Sequence, residues 1–218
     1  MADGTFQHTK FVFKGERKDA GYYIVGGTAD IKGGTFTATD AQAAGLHVAG
    51  GEVNIESGTF EGKEINSQAF FQESGTATIS GGNFNAENGY GIWNTKKDQL
   101  ELGALTINDC TVNSKEVALY LSGTTENEVN GGTYTSETTN ALRLSQSAAA
   151  VISNGLFTNA AGGAAIKDEE NGLVIAEGSA ADPADWKATS ASVVRISFPV
   201  ASINDTEYAS LEEAFAAS

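Results

Sequence analysis

A repeat of about 23 residues runs through most of this chain and limits its fold more than any other feature. Each copy has an aliphatic residue, two or three small residues, and an aromatic or large apolar residue five positions after the first. The copies start at Ile31, Ile55, Ile79, Ile107, Val129, Ile152 and, more weakly, Ile175. Successive starts differ by 24, 24, 28, 22, 23 and 23 residues. A period of this size indicates stacked supersecondary units.

Three stretches of each copy alternate between apolar and polar residues, which indicates three short β-strands. In the first stretch a large inward residue precedes a small one by two positions. These pairs are Phe36/Ala38, Phe60/Gly62, Phe84/Ala86, Val112/Ser114, Tyr134/Ser136 and Phe157/Asn159. Leucine-rich repeats have a similar period, but most copies here lack their leucines and their Asn or Cys. The sequence therefore predicts an all-β fold, a single right-handed parallel β-helix of about seven coils, whose core forms by stacking.

The other two stretches have inward pairs of their own. In the second stretch the pairs are Tyr22/Ile24, Leu46/Val48, Phe70/Gln72, Tyr90/Ile92, Leu119/Leu121, Leu142/Leu144 and Ala164/Ile166. In the third they include Ala29/Ile31, Val53/Ile55, Leu105/Ile107 and Leu173/Ile175. A half-match to the repeat, Gly4-Thr5-Phe6, comes before the first full copy, and one copy is lengthened near residues 95–99. Insertions of this kind form loops on one side of a solenoid.

The repeat fades after Gly178, so we divide the chain into a solenoid, 1–180, and a segment, 181–218, that is a C-terminal cap or the start of a next module. Trp186 is a candidate lid over the last coil, and residues 192–203 indicate one long strand or two strands. Ser210 and Glu213 form a capping box that opens a helix over 211–217. A helix this short needs a surface to pack on, so we expect the natural polypeptide to continue.

Composition excludes several classes of partner. The formal net charge is −15, whereas binding to nucleic acid requires a basic face. No run of about 18 apolar residues occurs, so we expect no membrane insertion. Cys110 is the one cysteine and allows no intrachain disulfide. We expect no organic cofactor, although the many carboxylates could hold Ca²⁺ weakly.

Two segments carry a resemblance to a known family. The run Thr78-Ile79-Ser80-Gly81-Gly82-Asn83-Phe84, followed by Asn88-Gly89-Tyr90-Gly91-Ile92, resembles the coil consensus of pectate-lyase-like right-handed β-helix surface proteins of anaerobic gut and cellulolytic bacteria. The tail over 201–214 resembles the segment that opens a further module in such proteins. The resemblance implies a secreted or cell-surface bacterial protein with further modules and a signal peptide upstream. It leaves function open, because this architecture holds lyases, hydrolases, adhesins and binders of cellulose and pectin.

An enzymatic function finds little support in the residues. The resemblance to polygalacturonases would require clustered aspartates, a histidine and an Arg-x-Lys pair. The chain offers His8 and His47, no Arg-x-Lys, and scattered single carboxylates that do not form an acid and base pair. Cys110 replaces a turn glycine of its copy, which is the setting of a turn residue rather than a nucleophile. We therefore assign no catalytic residue and consider catalysis the less expected function.

A binding function has a clearer basis in the outward residues of the second stretch. Read from coil to coil, they are Tyr23, His47, Phe71, Gly91 with Trp93 beyond it, Tyr120, Arg143 and Ala165. Successive rungs lie about 4.8 Å apart, so the rings would form an exposed flat strip, which suits the apolar faces of sugars. The predicted ligand-binding residues are Tyr23, His47, Phe71, Trp93, Tyr120 and Arg143.

The predicted function is a non-catalytic module that binds an extended polysaccharide or a host or cell-surface glycan. The alternatives are a protein adhesin, a structural spacer, and a polysaccharide lyase or glycoside hydrolase. The strip could also be covered by the 8–20 loop, by a neighbouring domain or by a second copy. A shift of the pattern by one residue would bury the rings instead.

Overall fold

The computed structural model describes residues 6–11, 20–96, 103–199, 201–203, 206–208 and 215–216. These residues form a parallel β-solenoid of about six turns, which confirms the predicted all-β class. The sequence predicted about seven coils. The difference arises at the two ends, where antiparallel strands take the place of a further parallel turn.

The strands of the described residues follow one another in chain order, and the short helix α1 lies between β19 and β20. They are β1 (Phe6–Phe11), β2 (Ala20–Ile31), β3 (Thr35–Ala38), β4 (Ala44–Ile55), β5 (Thr59–Gly62), β6 (Gln68–Ile79), β7 (Asn83–Ala86), β8 (Tyr90–Thr95), β9 (Ala104–Ile107), β10 (Thr111–Ser114), β11 (Leu119–Ser122), β12 (Asn127–Val129), β13 (Thr133–Ser136), β14 (Leu142–Ser145), β15 (Ala150–Ile152), β16 (Gly155–Asn159), β17 (Ile166–Asp168), β18 (Leu173–Ile175), β19 (Ala180–Asp182), α1 (Trp186–Thr189), β20 (Val193–Ser197), β21 (Ala201–Ile203) and β22 (Thr206–Tyr208).

The first strand of each repeat lies in an eight-stranded sheet with the order β19-β20-β16-β13-β10-β7-β5-β3. Its parallel register places the large residue of every repeat opposite the next one. The column is Phe36, Phe60, Phe84, Val112, Tyr134 and Phe157. All six side chains are buried, and the Phe36, Phe60 and Phe84 rings stack with centroids 4.9 and 4.7 Å apart. This column is the internal one that the five-residue offset predicted.

The second and third strands of each repeat share a twelve-stranded sheet, because β2, β4 and β6 continue from one stretch into the other. Its register corrects two of the predicted inward pairs. Ile92 lies opposite Phe70 and Asn94 opposite Gln72, so the pair is Ile92/Asn94 rather than Tyr90/Ile92. Likewise Ile166 lies opposite Leu142, which replaces the predicted pair Ala164/Ile166. The alternation of apolar and polar residues predicted the buried face correctly. The length of the preceding turn decides which residues of neighbouring coils lie opposite one another.

Buried amides close the corner between the second and third stretches. Gln72 Nε2 donates to the carbonyl oxygens of Gly75 and Ala104, each at 3.0 Å. On later coils Asn94 Nδ2 donates to Asn127 Oδ1 at 2.8 Å, and Asn127 Nδ2 donates to the Ala149 carbonyl at 2.7 Å. These side chains take up backbone groups that the sharp corner would otherwise leave buried without a partner.

Both ends of the solenoid carry antiparallel strands. At the start, β1 pairs with β2 and places Phe6 opposite Ile31, so Phe6 of the half-match Gly4-Thr5-Phe6 does not begin a further rung of the first sheet. At the other end, β20 pairs with β16 and turns Val194 and Ile196 into the core. Trp186 of α1 is also buried in this core, at the position proposed for a lid.

Farther along the C-terminal segment, β21 pairs with β22 in the antiparallel orientation. Within the predicted helix over 211–217, the structure describes Phe215 and Ala216, which are helical and exposed. The capping box of Ser210 and Glu213 lies outside the described residues, and so do residues 97–99 of the predicted insertion.

A glycine column at the bend of the long strands gives a stability prediction. Gly27, Gly51 and Gly75 have φ of 80, 85 and 81°, and a Cβ on Gly75 would lie 2.4 Å from the Gly51 carbonyl oxygen. We expect Gly75→Ala to lower the free energy of unfolding by roughly 1–3 kcal/mol, through backbone strain and this contact. Gly26→Ala is the matched control, since a Cβ there meets nothing within 4 Å. Equal urea midpoints for the two variants would contradict this account.

Candidate functional site

The six predicted ligand-binding residues occupy one line of paired strand positions. In register, Tyr23 lies opposite His47, His47 opposite Phe71, Phe71 opposite Trp93, Trp93 opposite Tyr120, and Tyr120 opposite Arg143. We call these six residues the aromatic row. Two positions differ from the prediction. Trp93 itself occupies its rung while Gly91 is buried, and the rung after Arg143 is Lys167, because Ala165 is also buried.

Neighbouring rings of the row are in contact along its length. Successive centroids from Tyr23 to His47, Phe71 and Trp93 are 4.7, 4.7 and 5.0 Å apart. Trp93 and Tyr120 stack with an interplanar angle of 14° and centroids 5.5 Å apart. All the row residues except His47 are half-buried, so each keeps part of its surface exposed.

His47 was predicted to lie on the exposed strip, and this expectation is wrong. Its residue surface is 4% exposed, and the Tyr23 and Phe71 rings flank it on the two neighbouring rungs. Its Nε2 lies 3.3 Å from Oε2 of Glu73, a carboxylate that is buried as well. The imidazole is smaller than the rings beside it and lies beneath their outer surface. His47 therefore lies buried between the neighbouring rings of the row.

A groove opens on the row at Phe71 and Trp93. It has a volume of about 370 Å³ and is lined by Gln42, Asn66, Gln68, Phe71, Tyr90 and Trp93. Tyr90 joins the row from the side, with its ring centroid 5.5 Å from that of Trp93 and 5.7 Å from that of Tyr120. Rings and side-chain amides thus border the same open space.

The amides come from a turn that recurs on successive coils. Gln42 and Asn66 are 24 residues apart and both have a positive φ, 62° and 56°, in the turn before the second strand. The backbone N–H of Gln42 donates to the Ile65 carbonyl, and the backbone N–H of Asn66 donates to the Asn88 carbonyl. These backbone hydrogen bonds fix the turn beside the row. These residues were not among the predicted site residues, although the 24-residue spacing of Gln42 and Asn66 marks the recurring turn.

A carboxylate contacts Tyr90, one of the residues that line the groove. The Tyr90 side chain is hydrogen-bonded to Glu116, and burial followed by this contact raises the pKa of Tyr90 above its ordinary value. The phenol is therefore neutral at physiological pH and keeps its proton. The Nε1 atom of Trp93 is buried and has no hydrogen-bond partner in the described part of the chain. An indole N–H in this state is destabilising until an acceptor reaches it.

Comparison with family models, with curated proteins and with solved structures finds no match to this chain. The site must therefore be interpreted from its own chemistry.

At its far end the row changes from rings to cations. The Arg143 guanidinium carbon lies 5.2 Å from the Tyr120 ring centroid, and the Tyr120 hydroxyl accepts a hydrogen bond from Ser145 Oγ at 3.1 Å. Arg143 Nη2 and Lys167 Nζ lie 2.8 and 3.1 Å from the same Oε1 of Glu169. Hydrogen bonds from Lys167 and then Arg143 lower the pKa of Glu169. Both cations are thus held in place at the end of the rings.

The described residues contain no arrangement that we can assign to catalysis. No group of three or more His, Cys, Asp or Glu side chains that could hold a metal ion occurs among them. Cys110 is buried, and this burial raises its pKa to about 12, so the thiol stays protonated at neutral pH. Within the same residues, no helix has the length and apolar character needed to cross a membrane.

Proposed function

We propose that this chain is a non-catalytic module that binds an extended polysaccharide along the aromatic row. The observation that carries the proposal is the groove in which Phe71, Tyr90 and Trp93 border the same space as the amides of Gln42 and Asn66. Ring faces pack on the apolar C–H faces of sugars, and amides donate to and accept from hydroxyl groups. Pockets of this kind, with apolar walls and a few fixed polar groups, are typical of ligand sites.

The geometry of the row supports a long ligand rather than a single sugar. The half-buried rings of Phe71, Trp93 and Tyr120 follow the solenoid axis on successive strands, with ring centroids 5.0 and 5.5 Å apart. A sugar unit in an extended chain has a similar length. One ring per rung therefore offers a repeated stacking surface, with Arg143 beyond Tyr120 as a hydrogen-bond donor.

The uncharged polar groups that line the groove also favour a sugar. The neutral Tyr90 hydroxyl and the side-chain amides provide uncharged partners for hydroxyl groups. A hydroxyl that becomes accessible to the Trp93 N–H through a small rotation of the indole would relieve its lack of a partner. The ligand would thus supply what the site lacks, without displacing an existing hydrogen bond of Trp93.

The same proposal covers the cellular location of the protein and the modules that adjoin this one. A polysaccharide-binding solenoid with a net charge of −15 suits a secreted or cell-surface bacterial protein, in which further modules of the polypeptide adjoin it. Its partner would be a polysaccharide or a host or cell-surface glycan. Ca²⁺ is not required for stacking on rings, so binding should not depend on it.

A polysaccharide screen tests the proposal and separates it from its alternatives. We expect retention on at least one insoluble or immobilised glucan, xylan, mannan or pectin, unchanged by EDTA and without release of reducing sugar. Release of reducing sugar would show that the chain cleaves the polysaccharide and would contradict a non-catalytic module. Absence of retention on the whole panel would contradict polysaccharide binding and favour an adhesin or a spacer.

A further inference from the structure

A second cleft lies on a different sheet, at the end of the solenoid where β20 covers β16. It has a volume of about 520 Å³ and is lined by Gly132, Thr133, Asn154, Gly155, Leu156, Arg195, Ser197 and Phe198. Its floor is the outward face of the eight-stranded sheet, on which Thr133, Leu156 and Arg195 lie opposite one another in register. This cleft shares no residue with the aromatic row or its groove.

Arg195 is an exception among the cations of this acidic protein. Residues 20–96 and 103–199 contain eight lysines and arginines, and six of them lie within salt-bridge distance of a carboxylate. Arg195 and Lys96 have no such partner among the described residues. Asp182 lies directly opposite Arg195 across the β19–β20 pair, yet the two side chains form no ion pair in the described structure.

The remaining groups of the cleft complement the guanidinium. No described carboxylate lines it, whereas the hydroxyls of Thr133 and Ser197 and the amide of Asn154 do. Phe198 forms one wall, with 52% of its surface exposed. A Cβ on Gly178 would lie 3.5 Å from the Phe198 ring, an ordinary contact distance, so Gly178 lies beside this ring. A cation, neutral donors and an open aromatic face therefore surround one cavity.

We propose that this cleft is a separate binding site for a carboxylate attached to a six-membered ring. A guanidinium holds a carboxylate through two parallel hydrogen bonds, which explains an arginine that remains outside the ion pairs of this surface. The ring of the ligand packs on Phe198 while Thr133, Ser197 and Asn154 contact its polar substituents. Two sources share this chemistry: a free aromatic acid and an acidic sugar unit.

Calorimetric titration of the intact chain with benzoate and with glucuronate tests the site and distinguishes the sources. We expect at least one of them to bind, with Arg195→Gln weakening binding about tenfold or more and Phe198→Ala weakening it severalfold. Binding of benzoate alone identifies an aromatic acid, and binding of glucuronate alone identifies an acidic sugar.

The control is Lys32→Gln, which removes one positive charge at an exposed position elsewhere on the solenoid. It should leave both affinities unchanged. The proposal is overturned if neither acid binds the parent, if Arg195→Gln binds as tightly as the parent, or if Lys32→Gln weakens binding equally. Arg195 is an exposed strand residue, so we expect its variant to fold and to melt with the parent.

Discussion

Phe84→Ala should lower the free energy of unfolding by roughly 3–5 kcal/mol, the range for truncating a fully buried phenylalanine. The Phe84 ring is 0% exposed. It stacks on Phe60 with centroids 4.7 Å apart, and it meets the Phe70 ring edge-on at 6.2 Å. Alanine would leave a cavity in the middle of the column. Since each coil is stabilised by its neighbours, the loss should extend to the coils on both sides.

Urea denaturation followed by circular dichroism measures this effect, and hydrogen exchange locates it. Phe198→Ala makes the same substitution at an exposed ring and should change stability by less than about 1 kcal/mol. Exchange in Phe84→Ala should rise for amides of β5, β7 and β10 together. A denaturation curve equal to that of the parent would contradict the assignment of this column to the core.

The largest expected effect on function is in the double variant Trp93→Ala/Tyr120→Ala. The two rings stack face to face on adjacent rungs, and Tyr90 contacts both, so they form the centre of the proposed surface. Each ring should contribute roughly 1–2 kcal/mol to binding through the apolar area that it covers. We therefore expect a Kd for the polysaccharide found in the screen that is about a hundredfold weaker.

The control variant for binding is Val174→Ala, which truncates an exposed apolar side chain outside the row and outside the second cleft. It should retain a neutral polysaccharide as the parent does. Trp93 and Tyr120 are half-buried outward residues, so the double variant should remain folded, as a near-parental circular dichroism spectrum would verify. If the folded double variant binds as tightly as the parent, the row is not the binding surface.

The core could be predicted because the sequence carries two independent signals for it. The offset from Ile79 to Phe84 recurs in each copy, and period-2 alternation separates inward from outward residues. These two signals did not decide whether Tyr90 or Ile92 lies opposite Leu119 on the next coil, and in the structure it is Ile92. Alternation fixes a face, but the number of residues in the preceding turn decides the rung, and that turn is shorter before Ile92 than before Phe70.

The site was predictable in part for a related reason. Outward positions of one strand column are readable from alternation, which placed Phe71, Trp93 and Tyr120 on one line. Exposure depends on the sizes of neighbouring side chains, so the burial of His47 between larger rings was not readable from its own position. Gln42 lies in a turn, where the 24-residue recurrence marks the turn itself but no inward pair marks the direction of a side chain.

The most direct test of the proposed function uses the two tryptophans of the chain. Trp186 is buried in the C-terminal core, whereas Trp93 borders the groove. In Trp186→Phe, indole fluorescence reports on Trp93 alone. Titration with the retained polysaccharide should shift and saturate this emission at the Kd found by retention. Retention of polysaccharide with Trp93 emission unchanged throughout the titration would contradict binding along the aromatic row.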